Sequence, residues 1–283
     1  MKHISCTVAA TAAAFGARRL VTLTAPDLPR MRPGQLVLAR VNETLDPYLP
    51  CAYFPLPADQ PGKLTLLVEA DDPLGGPDVP GKQLELIAPV GNGFALDTAT
   101  RRLLLVADAA GLAPLIALAH EASQKQIAVS LLVHGREKAD GASLAAWLSE
   151  MLPLDVEYQV SAELDAVLPA LLGWADQVCA AGDGALYARL KGSPGLEGRM
   201  RRVGGRTHAF HPAARNTGPF GHTGKAAFGN PKGPSIAPAV AQVVVAPLMA
   251  CGTGACQGCA VEIEQGMRLA CVEGPVFDLA ELL

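Results

Sequence analysis

The chain has 283 residues, of which half are hydrophobic and 18% are charged, and its formal net charge is −4. This length suits two or three domains with apolar cores, and no apolar run is long enough to span a membrane. Three cysteines, Cys6, Cys51 and Cys179, are scattered without the spacing of disulfide pairs. That usage predicts a reducing compartment, and we expect a cytoplasmic protein.

The N-terminus loosely resembles a signal peptide, because Met1-Lys2 precedes an alanine-rich stretch that reaches Gly16. The hydroxyl residues Ser5, Thr7 and Thr11 interrupt that stretch, and a strand-like run continues over 21–24. We therefore interpret residues 4–24 as the two opening strands of a barrel.

The first 97 residues have the pattern of an all-β domain. Short runs rich in leucine and β-branched residues recur at 20–23, 36–41, 64–68 and 84–87. Proline- and glycine-containing turns separate them. The spacing predicts a small β-barrel over residues 1–97.

A different pattern begins at Arg101. Apolar strands are predicted over 103–106, 129–133, 156–160 and 177–180, with helices between them over 115–123, 144–151 and 164–172. Alternation of strand and helix predicts a doubly wound parallel α/β domain, which we place over residues 98–189.

Residues 190–235 are rich in Gly, Pro, Arg, His and Asn and have almost no apolar periodicity. Nine Lys or Arg and a single acid, Glu197, lie between Arg189 and Ser235. We interpret the segment as a basic, poorly ordered insertion, either a partner-binding arm or non-native sequence. No nucleic-acid partner is expected, because the segment offers neither a known fold nor a platform for base stacking.

The C-terminal residues 236–283 carry the most specific motif. A predicted strand over 237–245 leads to Cys251, Cys256, Cys259 and Cys271, in the order C-x4-C-x2-C and then, after eleven residues, the last cysteine. This is the plant-type ligand spacing of a [2Fe–2S] cluster. Structural zinc is the alternative, although zinc sites usually combine two C-x2-C pairs.

Glycines lie between these cysteines, as a loop that wraps a cluster requires. The runs over 261–264 and 268–270 are predicted to pair as a hairpin around Gln265-Gly266. Such a hairpin would return Cys271 to the other three ligands, so we predict a small cluster lobe over residues 236–283.

Three motifs carry a resemblance to a known family. They are the segment Met249-Ala250-Cys251-Gly252-Thr253-Gly254-Ala255-Cys256-Gln257-Gly258-Cys259 with the Gly-Pro-Val-Phe tail after Cys271, the run Ala88-Pro89-Val90-Gly91-Asn92-Gly93-Phe94, and Ala113-Pro114-Leu115. Over residues 1–189 and 236–283 the chain resembles the electron-transfer subunit of two-subunit dihydroorotate dehydrogenase, in the ferredoxin–NADP reductase superfamily.

The resemblance implies a barrel that holds FAD, a doubly wound domain that receives NADH, and a [2Fe–2S] cluster. Electrons would pass between the flavin and the cluster, to or from an FMN-containing catalytic subunit that acts in pyrimidine biosynthesis. A hetero-oligomer is expected.

The flavin motif departs from the family pattern. The family places an Arg on a barrel strand to pair with the flavin pyrophosphate, whereas this chain has Tyr48-Leu49-Pro50-Cys51-Ala52-Tyr53-Phe54. Tyr53 and Phe54 are candidates to stack on the flavin, or else they belong to the barrel core. Gly91, Asn92 and Gly93 are predicted to meet the flavin phosphates through their N–H groups.

The phosphate turn of the nucleotide domain departs further. The family has three successive glycines, but this chain has Ala107-Asp108-Ala109-Ala110-Gly111. Gly111 remains a candidate cofactor contact, and Asp108 would either repel phosphate or cap the following helix, which we favour. Cys179 stands at the family's nicotinamide-side cysteine or is only a small buried residue. NADH binding is therefore doubtful.

No Ser–His–Asp set, pair of catalytic acids or P-loop is present in the sequence. Three hypotheses stay open: an electron-transfer subunit, a non-catalytic adaptor with a degenerate nucleotide site that carries the cluster or scaffolds a partner, and a zinc-stabilised binding module.

Overall fold

The computed structural model describes residues 1–40, 49–58, 60–76, 78–135, 138–203 and 240–283. Val41 and Tyr48 lie outside this part of the chain, as do residues 204–235 of the predicted insertion and residues 236–239, where the predicted strand over 237–245 begins. In the residues described, no helix combines the length and apolar character needed to cross a membrane.

The N-terminal domain is an antiparallel barrel of six strands: β1 (Lys2–Ala13), β2 (Arg19–Thr24), β3 (Leu36–Arg40), β4 (Cys51–Tyr53), β5 (Lys63–Val68) and β6 (Gln83–Val90). Their order is β4-β3-β6-β1-β2-β5, and a bridge between Pro55 and Leu66 brings the two edges together. Alternate residues of β5 and β6 are buried, as a barrel wall with one inward face requires. The expected opening strands are confirmed, whereas the short strand β4 was not predicted.

The second domain is a six-stranded sheet. It contains β7 (Arg102–Asp108), β8 (Ala128–His134), β9 (Glu157–Ser161), β10 (Gln177–Ala181), β11 (Ala241–Val244) and β14 (Val276–Asp278), in the order β14-β11-β10-β7-β8-β9. All pairs are parallel except β11 with β14. The connecting helices are α1 (Leu112–Gln124), α2 (Lys138–Met151), α3 (Leu164–Trp174) and α4 (Gly184–Lys191). The predicted doubly wound architecture is confirmed.

The segment after residue 190 differs from the prediction. A further helix, α5 (Pro194–Val203), follows α4 directly. Leu196 is fully buried in the core that α3 and α4 share, and the Arg199 guanidinium donates to the carbonyl oxygens of Leu172 and Ala175 at the end of α3. One buried leucine per helix is too weak a periodic signal to detect in such a polar segment.

The C-terminal lobe is also less separate than expected. It contains the antiparallel hairpin of β12 (Ala260–Ile263) and β13 (Gly266–Leu269), which was predicted. However, β11 and β14, on either side of the cysteine loop and hairpin, belong to the second sheet. The lobe is therefore the connection between β11 and β14 of that sheet. It packs on the barrel through Leu36, Leu38 and Val90.

Candidate functional site

The four C-terminal cysteines lie in the C-terminal lobe as two pairs. The sulfur atoms of Cys259 and Cys271 are 3.2 Å apart, and both residues are buried. Cys251 is half-buried and hydrogen-bonds to Cys256, which is exposed. Within the described ranges, no group of three or more His, Cys, Asp or Glu side chains is arranged so that it could hold a metal ion.

Backbone N–H groups surround the sulfurs. The Thr253 N–H donates to Cys251 Sγ at 3.4 Å, and the Gly258 N–H donates to Cys256 Sγ at 3.5 Å. Gly252 and Gly254 have φ of 69° and 82°, the left-handed region in which glycine is unstrained. The loop thus wraps around its own sulfur atoms, and such N–H groups stabilise thiolate and tune the potential of a bound cluster.

The thiols differ in acidity. Hydrogen bonds from the Thr253 side chain and the Cys256 backbone lower the pKa of the Cys251 thiol to about 6. Burial, followed by the neighbouring Cys259 thiol, raises the pKa of Cys271 to about 12. A metal bound by Cys271 would displace its thiol proton, because the thiolate is the ligand form of cysteine. Four soft sulfur donors with N–H groups directed at them fit an iron–sulfur cluster.

The two aromatic flavin candidates lie in different surroundings. Tyr53 is 7% exposed within the barrel core, and its hydroxyl donates to Asp72 Oδ1 at 2.9 Å. The Tyr53 ring therefore packs in the barrel core, in agreement with the alternative interpretation of this residue as core. Phe54 is half-buried and contacts both the core of the second domain and the core beneath the cysteine lobe. Of the two, only Phe54 lies where barrel, second domain and lobe meet.

The loop Gly91-Asn92-Gly93 has a structural use that the sequence did not reveal. The Asn92 amide nitrogen donates to the carbonyl oxygens of Glu273 and Val276, and its side-chain oxygen accepts from the Val276 N–H at 3.0 Å. The Asn92 N–H donates to Gly274 O. A Cβ on Gly91 would lie 2.4 Å from Pro275 Cδ. These contacts fasten the barrel to the lobe, and a flavin contact by this loop stays a prediction.

Gly111 lies at the start of α1, against the end of β10. A Cβ there would lie 1.8 Å from Ala181 O, so only glycine permits this approach of helix and strand. The Asp108 carboxylate accepts from the N–H groups of Ala110 and Gly111, each at 2.9 Å. Asp108 therefore closes the turn that precedes α1. It does not cap the helix as favoured, because the N-cap of α1 is Gly111 and no side chain bonds to the first helical N–H groups. Cys179 is fully buried in the sheet, and burial raises its pKa.

Residues 247–283 match the iron–sulfur cluster binding domain of dihydroorotate dehydrogenase B. The match covers the four cysteines and the β12–β13 hairpin of the C-terminal lobe. The electron transfer subunit of dihydroorotate dehydrogenase B (NAD(+)) from Desulforamulus reducens is 28% identical over 265 residues, which cover 89% of this chain and 87% of the relative. The same subunit from Geobacillus sp. is 33% identical over 104 residues, 35% of this chain and 40% of the relative.

Solved structures agree with the fold. An NADH-dependent reduced ferredoxin–NADP oxidoreductase superposes with a TM-score of 0.68 at 17% identity, over 98% of this chain and 89% of the other. Phthalate dioxygenase reductase superposes with a TM-score of 0.53 at 17% identity, over 67% of this chain and 63% of the other. The chain shares its fold with these solved reductase structures. The curated relatives and the matched domain confirm the resemblance stated from its motifs.

Proposed function

We propose that this chain is an electron-transfer subunit that passes electrons between FAD in the barrel and a [2Fe–2S] cluster in the C-terminal lobe. The catalytic partner that donates or accepts them is a dihydroorotate dehydrogenase of pyrimidine biosynthesis, in the cytoplasm. The observation that carries the proposal is the pairing of Cys259 with Cys271 and of Cys251 with Cys256 in one lobe, with backbone N–H groups on two of the four sulfurs. The relatives named above are described as electron transfer subunits of dihydroorotate dehydrogenase B.

The residues divide the work between them. The four thiolates would hold the irons, and the N–H groups of Thr253 and Gly258 would stabilise the sulfur charge. Phe54 would pack against the flavin from the barrel side, at the junction with the lobe. When bound, the flavin exchanges electrons in pairs or singly, whereas the cluster exchanges them one at a time.

An apolar surface beside the cysteines supports docking of a partner. Leu248, Met267 and Val272 are 77%, 63% and 48% exposed, and Val272 directly follows a proposed ligand. All three belong to the lobe that carries the cysteines, and exposed apolar side chains are typical of protein–protein interfaces. We propose that the catalytic partner docks on the lobe.

The test is anaerobic purification of the full chain, alone and co-expressed with the dihydroorotate dehydrogenase subunit. We expect about two irons and two sulfides per chain, a rhombic electron paramagnetic resonance signal after reduction, and extractable FAD. Zinc in place of iron and sulfide would contradict the proposal and establish a zinc-stabilised module instead.

The adaptor is the second candidate, because two specific observations favour it. Tyr53 is used in the barrel core, and Asn92 is used to fasten the lobe, so two predicted flavin residues already have structural partners. An adaptor would keep the cluster and the partner surface but bind no flavin. Well-folded protein with full iron content and no FAD in its extract would identify it.

A further inference from the structure

The turn between β7 and α1 is closed by the side chain of its own Asp108. Asp108 Oδ1 accepts from the N–H groups of Ala110 and Gly111, each at 2.9 Å. Asp108 Oδ2 accepts from the Asp183 N–H, also at 2.9 Å, and Asp183 is the residue that caps α4. One carboxylate therefore joins the ends of two neighbouring parallel strands, β7 and β10.

These N–H groups are the donors that a dinucleotide would need. In doubly wound domains the pyrophosphate lies at the N-terminus of the helix after the first strand of the nucleotide unit, where unpaired N–H groups and the helix dipole favour negative charge. Here the Asp108 carboxylate supplies that negative charge internally. A pyrophosphate at the same position would have to displace it and would then face it at close range.

The surroundings reinforce this exclusion. A cavity of about 440 Å³ lies over the turn, and Asp108, Asp183 and Glu69 are among its lining residues. Its arginine, Arg18, pairs with Glu69 and stacks on the Phe15 ring, 5.1 Å from the ring centroid. Phe15, from the β1–β2 turn, is buried against Trp147 of α2. Among the lining residues that the structure describes, three carboxylates therefore face one paired arginine and His134, a poor set of donors for phosphates.

The ends of β10 and β11, where the family resemblance places the nicotinamide, are also occupied by protein groups. The Tyr187 hydroxyl accepts from the Gly182 N–H at 3.0 Å and donates to Val244 O, so it bridges the ends of β10 and β11. A Cβ at Gly182 would lie 2.8 Å from Asp108 Oδ2. The polar groups at the ends of these two strands are therefore paired with each other.

We infer that Asp108 is an internal substitute for the dinucleotide pyrophosphate, and that this domain does not bind NADH. The inference concerns the nucleotide turn alone and does not depend on the cluster or the flavin.

The experiment titrates NADH into the full chain and into Asp108→Gly, by calorimetry and by NADH fluorescence. Asp108→Gly removes the carboxylate and frees the three N–H groups. We expect no saturation of wild type up to about 1 mM NADH, and an affinity at least about tenfold higher for Asp108→Gly. Asp108→Asn keeps an oxygen acceptor without the charge, so its affinity should fall between the two.

Wild-type binding at micromolar NADH would overturn the inference. An Asp108→Gly chain that is folded by circular dichroism but binds no better than wild type would overturn the role of Asp108. If Asp108→Gly does not fold, Asp108→Ala is titrated in its place with the same two criteria. Iron, sulfide and flavin are measured on the same samples, so failure of the proposed function is scored separately from NADH binding.

Discussion

The sulfur atoms of Cys259 and Cys271 lie 3.2 Å apart although eleven residues separate them in sequence. The β12–β13 hairpin accounts for this, because Ala260 pairs with Leu269 and the Ala270 N–H donates to Cys259 O at 3.0 Å. The fold therefore sets this half of the proposed ligand group. The other half, Cys251 and Cys256, depends on a glycine-rich loop on the surface.

Replacing the exposed ligand tests the assignment without disturbing the core. In Cys256→Ser we expect iron content to fall below about half of wild type, because a hydroxyl is a much poorer iron ligand than thiolate. Thermal unfolding of the metal-free chains should change little, since Cys256 is exposed. Cys51→Ser is the control, because Cys51 lies on β4, outside the lobe, and should retain full iron. Unchanged iron in Cys256→Ser would contradict the ligand assignment.

The cysteine spacing and the alternation of strands and helices were sufficient to predict the lobe chemistry and both sheets, because both are local patterns. The long-range contacts were not predictable in this way. Asn92 looked like part of a phosphate loop, yet its partners are Glu273 and Val276, more than 180 residues later. No local pattern encodes such a pairing.

The same limit applies to the end of the second sheet. A strand was predicted over 237–245, and β11 lies within that range, but nothing in the local pattern placed it beside β10 and not in a separate lobe. The choice depends on which strand has a free edge, and that is settled only when the whole sheet is assembled. Tyr53 was ambiguous for a related reason, because its hydrogen-bond partner Asp72 lies in a loop between β5 and β6.

Tyr53→Phe tests whether Tyr53 belongs to the core. Loss of its hydroxyl leaves the half-buried Asp72 carboxylate with the Leu74 N–H but without its side-chain donor, so the free energy of unfolding at pH 7 should fall by about 1–3 kcal/mol. Flavin content should be unchanged. Loss of flavin from a stable variant would instead assign Tyr53 to the cofactor.

The pH dependence of that loss has a defined sign. Burial raises the pKa of Asp72, and the Tyr53 hydroxyl opposes this by stabilising the carboxylate. In Tyr53→Phe the pKa of Asp72 therefore rises further. A raised carboxyl pKa means that the folded state gains stability on protonation, so the difference between the variants should shrink as the pH falls through the Asp72 pKa. Urea unfolding at pH 5 and pH 7 measures this, and a loss that grows toward pH 5 would contradict it.

Asn92→Ala should loosen the lobe. Three side-chain hydrogen bonds to residues 273 and 276 are lost, and we expect the free energy of unfolding to fall by about 2–3 kcal/mol. Amide hydrogen exchange should accelerate over residues 273–277. Gln35→Ala is the matched control, because Gln35 is a buried amide that bonds to Gly91 O and Arg32 N within the barrel. Equal acceleration in both variants would count against a specific role for Asn92.

Leu248→Asp tests the partner surface. A charge in the centre of an apolar interface should weaken association with the catalytic subunit by about tenfold or more, while the isolated chain keeps its iron. Leu154→Asp is the control, because Leu154 is fully exposed in the loop between α2 and β9, outside the lobe. Association is measured by surface plasmon resonance. Equal affinities for the two variants would exclude the surface around Leu248 as the docking site.

Among these substitutions, Gly111→Ala should lower the stability of the fold the most, although it adds only one methyl group. The added Cβ would lie 1.8 Å from Ala181 O, so α1 must move away from β10, and we expect a loss of about 3 kcal/mol or more. Gly173→Ala, in α3, meets nothing within 4 Å and should be neutral or stabilise by up to about 1 kcal/mol. Chemical denaturation of both variants measures the contrast. A mild effect of Gly111→Ala would mean that helix and strand separate easily there, and the Asp108 contacts at the same turn would then be less rigid than described.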